Sequence, residues 1–187
     1  SNSSSSETSQ PEASASSPFK EALTFYASFD NGIDADFAKG DASLYTTYDR
    51  KNPDSTQIGL KSADHEMLEG QGQQGNALNF REKSKAYIFY KSKDNIAYDT
   101  KGWTGTISFW LKLNPATDLE PGFTDPIQIT DSRYDDASIW VDFTKENPRD
   151  FRLGVYGDKD VWTKDTLQTP KEEVQEKRYI RVKQPPF

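Results

Sequence analysis

Cysteine, long apolar segments and an excess of positive charge are all absent from this sequence. Without cysteine, the chain cannot form disulfides, thiolate zinc sites or a cysteine nucleophile. No apolar run approaches the roughly 20 residues that a membrane-spanning helix requires, so we expect no transmembrane span. The 23 Lys and Arg residues against 30 Asp and Glu residues give a net charge of −7. A nucleic-acid groove must be lined with cations, so we expect no nucleic-acid partner.

The residues that are present are typical of one all-β domain. The chain has 187 residues, which suffices for one ordinary domain. Hydrophobic residues make up only 33% of it, whereas aromatic residues reach 13%, with 4 Trp, 9 Tyr and 11 Phe. Because aromatic side chains are enriched in strands, this composition favours an all-β fold over a helical bundle.

The N-terminal segment, residues 1–18, differs from the rest in composition. It holds nine serines and only two apolar residues, too few to offset the entropy of ordering it. We predict a disordered linker over 1–18 and a folded domain over 19–187. Such a linker is typical of mature bacterial lipoproteins just after their anchor, which favours an extracellular, cell-envelope or periplasmic location with a lipid anchor upstream. An arbitrary boundary within a linker is the alternative.

From Phe19 onward, short alternating segments separated by Gly, Pro, Asn and Asp predict strands. The clearest is Thr106–Leu113, in which apolar residues alternate with Thr, Ser, Trp and Lys. Strands at near-regular spacing with turn signals between them favour a two-sheet antiparallel β-sandwich or jelly roll. The other predicted strands are Leu23–Phe29, Ala42–Tyr48, Ala77–Phe80, Ala86–Tyr90, Ile127–Thr130, Ala137–Phe143 and Phe151–Tyr156.

One predicted strand face is both aromatic and charged. Alternation places Ile139, Val141 and Phe143 toward the core, so their neighbours are expected on the outside of the sheet. The outside of a sheet needs no tryptophan for folding, and an aromatic platform beside a few polar groups is typical of a ligand site. The predicted ligand-binding residues are Trp110, Trp140, Asp142, Arg152 and Tyr156.

An acidic, glycine-containing loop follows the first predicted strand. It carries Asp30, Asp34 and Asp36. Calcium takes six to eight oxygen ligands, which such a loop can supply, so calcium is a candidate cofactor bound by these three carboxylates. The alternative is that the acids cap turns and strand ends.

Motifs that would carry catalysis are weak. The segment Gly70–Gly75 matches the dinucleotide pattern, but a strand-like segment follows it where a helix is required, so we predict a glycine-rich loop between strands. The single histidine, His65, lies between acids and has no nucleophile elbow nearby. Asp142 stands alone on its strand, without the second carboxylate that a glycosidase needs. We therefore expect no enzyme activity.

Three stretches, Leu23–Asp30 (LTFYASFD), Gly75–Phe80 (GNALNF) and Gly105–Lys112 (GTISFWLK), occur in the order and spacing of one family. Together they resemble the laminin G-like domains of the concanavalin A-like lectin and glucanase superfamily, in the form found in bacterial secreted and envelope proteins. The resemblance implies a jelly roll. Nothing after Tyr156 resembles the family's last strands, so we expect an incomplete N-terminal portion that the remainder of its own chain or another chain completes.

The expected function follows from this resemblance and from the aromatic face. The first hypothesis is a non-catalytic carbohydrate- or ligand-binding module. A sugar would stack on Trp140 or Tyr156, and Asp142 and Arg152 would bond its hydroxyls. The second is a structural or adhesive domain with protein partners. A glycoside hydrolase is the least favoured, because the carboxylate triad of the sandwich-fold glucanases is missing.

Overall fold

A computed structural model describes residues 19–99, 101–130 and 139–155, together with Pro170, Glu173 and the backbone of Ile180–Val182. The predicted linker, residues 1–18, lies outside the described residues, as does the predicted ligand-binding residue Tyr156.

The described chain is built from short strands, which confirms the all-β class. All pairings between these strands are antiparallel, and a 3-10 turn lies at Pro53–Ser55. No helix of the described residues is long and apolar enough to cross a bilayer. The strands are β1 (Phe25–Tyr26), β2 (Phe37–Ala38), β3 (Leu44–Thr47), β4 (Gln57–Ile58), β5 (His65–Leu68), β6 (Ala77–Phe80), β7 (Tyr87–Tyr90), β8 (Thr124–Ile129), β9 (Ile139–Phe143), β10 (Phe151–Val155) and β11 (Ile180–Val182).

These strands form several small sheets in the described part of the chain. The largest has the order β11-β10-β9-β8, a second has the order β4-β3-β7, and two-stranded ribbons pair β1 with β2 and β5 with β6. Every neighbouring pair in them is antiparallel, as the sandwich interpretation requires. The two-sheet jelly roll itself remains a prediction.

The centre of the three-stranded sheet is buried. All four residues of β3 are buried, with Leu44 fully inaccessible to solvent. Tyr45 stacks on Phe89 of β7 with 5.5 Å between ring centroids. Thr46 satisfies its buried hydroxyl by donating to the carbonyl of Gly59 at 2.7 Å. A strand whose two faces are both covered needs such internal partners for its polar side chains.

The glycine-rich segment Gly70–Gly75 joins β5 to β6, so the predicted loop between strands is confirmed. Gly75 has a positive φ of 66°, and a Cβ there would overlap the carboxylate of Asp30. That carboxylate accepts a hydrogen bond from the backbone N–H of Asn76 at 2.7 Å. The loop therefore needs glycine to let Asp30 reach its backbone.

The prediction of a strand over Thr106–Leu113 is wrong for this structure. The segment has no ladder partner, and no backbone hydrogen bond joins it to the described part of the chain. Alternation indicates that a segment suits a sheet, but the ladder requires a second strand beside it. Strands that sequence patterning missed are β2, β4, β5 and β11, of which the first two have two residues each.

Candidate functional site

The aromatic and charged face predicted on β9 and β10 exists as a set of cross-strand neighbours. Trp140 lies opposite Gly154, and Asp142 lies opposite Arg152. Residues opposite each other, and residues two apart on one strand, share a face. The structure therefore brings together three of the predicted ligand-binding residues, namely Trp140, Asp142 and Arg152.

The expectation that this face is open to solvent is wrong. Trp140, Asp142 and Arg152 are 6%, 3% and 6% exposed. Val141 and Phe143 on the opposite face of β9 are buried as well, so β9 is covered on both sides. Alternation determines which residues share a face, but whether a second layer covers that face is decided elsewhere in the fold.

Burial of the charged residues is possible because they neutralise each other. The guanidinium of Arg152 donates through Nε to Oδ1 of Asp142 at 2.8 Å and through Nη2 to Oδ2, a bidentate arrangement. The guanidinium carbon also lies 5.2 Å from the ring centroid of Phe123. A two-point ion pair with an aromatic ring over it satisfies both charges without solvent.

Trp140 is packed into this sheet. A Cβ at Gly154 would overlap the indole of Trp140, so the indole occupies the space that a side chain on the neighbouring strand would fill. Stacking of a sugar requires an exposed ring face. The interpretation of Trp140 as an open platform is therefore corrected to that of a core side chain.

A second carboxylate lies near the ion pair. In β8, Asp125 and Pro126 together stand opposite the single residue Asp142, a β-bulge. Partial burial, and after it the negative charge of Asp142, raise the pKa of Asp125, while a hydrogen bond from Gln128 at 3.0 Å acts against this. Sequence analysis missed Asp125, although a proline inside a strand is a signal for a bulge.

Trp110 has the opposite environment. Its side chain is 80% exposed, and the neighbouring Ile107 and Phe109 are 44% and 38% exposed. These residues belong to Thr104–Leu113, called here the Trp110 segment, whose one charged residue is Lys112. None of its side chains makes a hydrogen bond, ion pair or ring contact with the described part of the chain. It is an exposed apolar surface without a partner among the described residues.

The three carboxylates predicted to bind calcium each accept a hydrogen bond from a backbone N–H group. Asp30 accepts from Asn76 N at 2.7 Å, and Asp34 accepts from Leu44 N at 2.9 Å. Asp36 accepts from the backbone N–H of residue 28 at 2.6 Å and from Asn31 Nδ2 at 2.7 Å. The side-chain bond from Asn31 is the largest cause that lowers the pKa of Asp36. Among described residues, no group of three or more acids or histidines is placed to hold a metal ion, and calcium binding stays a prediction.

His65 lies buried on β5, 4% exposed, with neither ring nitrogen hydrogen-bonded. Its ring meets that of Phe80 edge-on at 4.8 Å between centroids. The nearby Ser62 hydroxyl donates to Asp64 at 3.0 Å and contacts Ser84 at 3.3 Å. A serine nucleophile would need a hydrogen bond to the imidazole, and the described geometry of Ser62 supplies none.

Comparison of the chain with family models, with curated proteins and with solved structures gave no match. The resemblance to laminin G-like domains therefore stays a prediction.

Proposed function

We propose that this chain is a non-catalytic binding module whose ligand contacts the Trp110 segment. The observation that carries the proposal is the 80% exposure of the Trp110 side chain beside exposed Ile107 and Phe109. A large apolar patch on a soluble domain marks a surface that another molecule covers. A location outside the cell or in its envelope, inferred from the serine-rich residues 1–18, accords with this proposal.

Carbohydrate is the first candidate ligand. The indole of Trp110 offers an open face to the C–H groups of a sugar ring, as a binding platform requires. Trp140, which sequence patterning suggested for this stacking role, is buried, and so is Arg152, which it suggested for bonding the sugar's hydroxyls. In this proposal the ligand surface therefore moves from the predicted sheet face to the Trp110 segment.

A protein is the second candidate ligand. It is favoured by the backbone of the Trp110 segment, whose N–H and C=O groups have no partner in the described part of the chain. Unpaired backbone in an apolar segment is suited to adding a strand from a partner. Glycoside hydrolysis is less favoured, because the carboxylate of Asp142 is engaged by Arg152.

The test is a tryptophan-fluorescence titration with a panel of soluble polysaccharides. The exposed Trp110 is expected to contribute to the long-wavelength part of the emission, whereas the buried Trp140 is not. A saturable change in the native chain, together with a heat of binding in titration calorimetry that Trp110→Ala abolishes, would support the carbohydrate ligand, because calorimetry does not depend on the tryptophan that is removed. Ile58→Ala is the matched control, because Ile58 is a large apolar side chain, 62% exposed, on β4. Binding that survives Trp110→Ala would refute the assignment of the ligand surface.

A further inference from the structure

The backbone of the Trp110 segment is the starting observation. Each of its ten residues carries one N–H and one C=O group, and none of these groups is bonded within the described part of the chain. An apolar segment with unpaired backbone groups is a template for a further strand. The missing partner is therefore a β-strand, which supplies both kinds of group at the strand spacing.

The side chains of the segment alternate as those of a strand do. Ile107, Phe109, Leu111 and Leu113 would share one face of a strand, and Thr106, Ser108, Trp110 and Lys112 would share the other. The segment has no acidic residue and one lysine, in a chain of which 28% of the residues are charged. Its partner is thus expected to be apolar on one face and to present no lysine opposite Lys112.

The same segment from a second copy meets these requirements in one arrangement. In an antiparallel pair with its twofold axis at Phe109, Ile107 lies opposite Leu111, and Ser108 lies opposite Trp110. Lys112 then lies opposite Thr106 and meets no like charge. A parallel in-register pair would place Lys112 against Lys112. Twofold pairing uses one surface patch on both copies, as most homodimers do.

The ends of this pairing are also defined. In the same register, residue 103 would face Pro115, which has no N–H to donate to a ladder. The N–H of Asn114 is already engaged, because it donates to Asp118 Oδ2 at 2.7 Å. The ladder therefore runs from Gly105 to Leu113 on each copy.

We infer that the Trp110 segment is a self-complementary strand, through which two copies of this chain pair antiparallel about Phe109. The inference rests on the proposed binding role of this segment and names its protein partner. Aromatic side chains bury about 150–250 Å² each, so the three exposed side chains offer less than the about 800 Å² per partner of a standard interface. The dimer is consequently expected to be weak and reversible.

The test is analytical ultracentrifugation of the whole chain over a range of concentrations, without polysaccharide. The native chain is expected to pass from monomer to dimer as the concentration rises. In this register residue 109 of one copy lies opposite residue 109 of the other copy. Phe109→Lys and Phe109→Glu therefore each place like charges against each other and are expected to be monomeric. An equimolar mixture of the two is expected to dimerise again, since opposite charges then meet at the axis. Far-UV circular dichroism checks that each variant is folded.

Matched controls separate this inference from general surface effects. The control variants are Ile58→Lys and Ile58→Glu, at an exposed residue of β4. Each is expected to leave dimerisation unchanged. A native chain that stays monomeric over the whole range overturns the inference, and so does a Phe109→Lys variant that dimerises like the native chain. Self-association is measured without sugar, so a monomeric chain that still binds polysaccharide through Trp110 overturns the inference and leaves the proposed function standing.

Discussion

Asp142 and Arg152 face each other as register partners of β9 and β10 and form a bidentate ion pair that is almost fully buried. Removing two charges from water costs several kcal/mol for each ion, and the pair recovers this cost only when the geometry is good. The pair also specifies the register of the two strands, because a slip of one strand by one residue would put the two charges on opposite faces of the sheet.

Removing one residue of the ion pair is therefore expected to lower the unfolding free energy much more than removing both. Arg152→Met leaves the carboxylate of Asp142 buried without its cation and should cost about 3–5 kcal/mol of unfolding free energy. The double variant with Asp142→Leu removes both charges and should regain most of that loss. Urea unfolding monitored by tryptophan fluorescence measures both.

The exposed ion pair of Lys145 with Glu146 is the matched control for this experiment. Lys145→Met should change the unfolding free energy by less than about 1 kcal/mol, because exposed ion pairs contribute little. If Arg152→Met had an equally small effect, the ion pair would be open to solvent and the sheet face could again be considered for ligand binding.

Gly154 is expected to be essential for the packing of Trp140. Gly154→Ala places a methyl group in the volume that the indole occupies, so the ring or the strand must shift, at a cost of about 1–3 kcal/mol. Thermal unfolding should show a clear decrease in Tm. Gly105→Ala is the control, because the nearest atoms to a Cβ there belong to Trp103 at 3.8 Å, an ordinary contact. Equal Tm values for the two variants would contradict the packing of Trp140 against Gly154.

Alternation in the sequence predicts which side chains share a face, and it did so correctly for β9 and β10. It placed Asp142 with Arg152 and left Trp140 on the same side. It could not predict that this face would be covered, because burial of a charge depends on a partner that only the strand register supplies. The polar character of the two residues therefore indicated solvent where the structure has an internal ion pair.

The Trp110 segment illustrates the other limit of sequence patterning. Its alternation is the clearest in the chain, yet it forms no ladder within the described residues. Strand propensity reflects how well side chains fit a pleated surface, whereas a strand exists only where a neighbour pairs with it. A strand as short as Gln57–Ile58 pairs without any such signal, because β3 beside it provides the template.

Substitution of Asp36 separates calcium binding by its carboxylate from a purely structural role of that carboxylate. Its carboxylate receives the backbone N–H of residue 28 and the amide of Asn31, so Asp36→Ala should lower Tm in buffer containing EDTA. Bound calcium would add a second effect, namely a rise in the Tm of the native chain with added calcium that Asp36→Ala removes. Thermal unfolding with calcium and with EDTA separates the two.

Lys39→Ala, at a surface position beside β2, serves as the comparison for nonspecific charge effects on this loop. If calcium raises the Tm of the native chain no more than it raises the Tm of Asp36→Ala, calcium binding is contradicted. The decrease in Tm that Asp36→Ala causes in EDTA would then measure the contribution of turn capping alone.

His65 is expected to make the protein less stable in mild acid. Burial lowers its pKa in the folded state, against the smaller opposing effect of the negative charge of Asp64. Below an unfolded-state pKa of about 6.5, the unfolded chain binds a proton that the folded chain binds less readily. The unfolding free energy should therefore decrease as the pH falls through 6.5 toward the lowered pKa of His65, and level off above about pH 7.5.

His65→Phe keeps a ring beside Phe80 and removes the titrating group. The difference in unfolding free energy between the native chain and this variant therefore isolates the contribution of His65 titration. The lowered pKa values of Asp36 and Asp64 make stability fall with acid only at and below their ordinary range near 3.8. The raised pKa of Asp125 acts in the opposite direction, but it is present in both proteins and cancels. Urea unfolding across this pH range should give diverging curves, and parallel curves would mean that folding leaves the proton affinity of His65 unchanged.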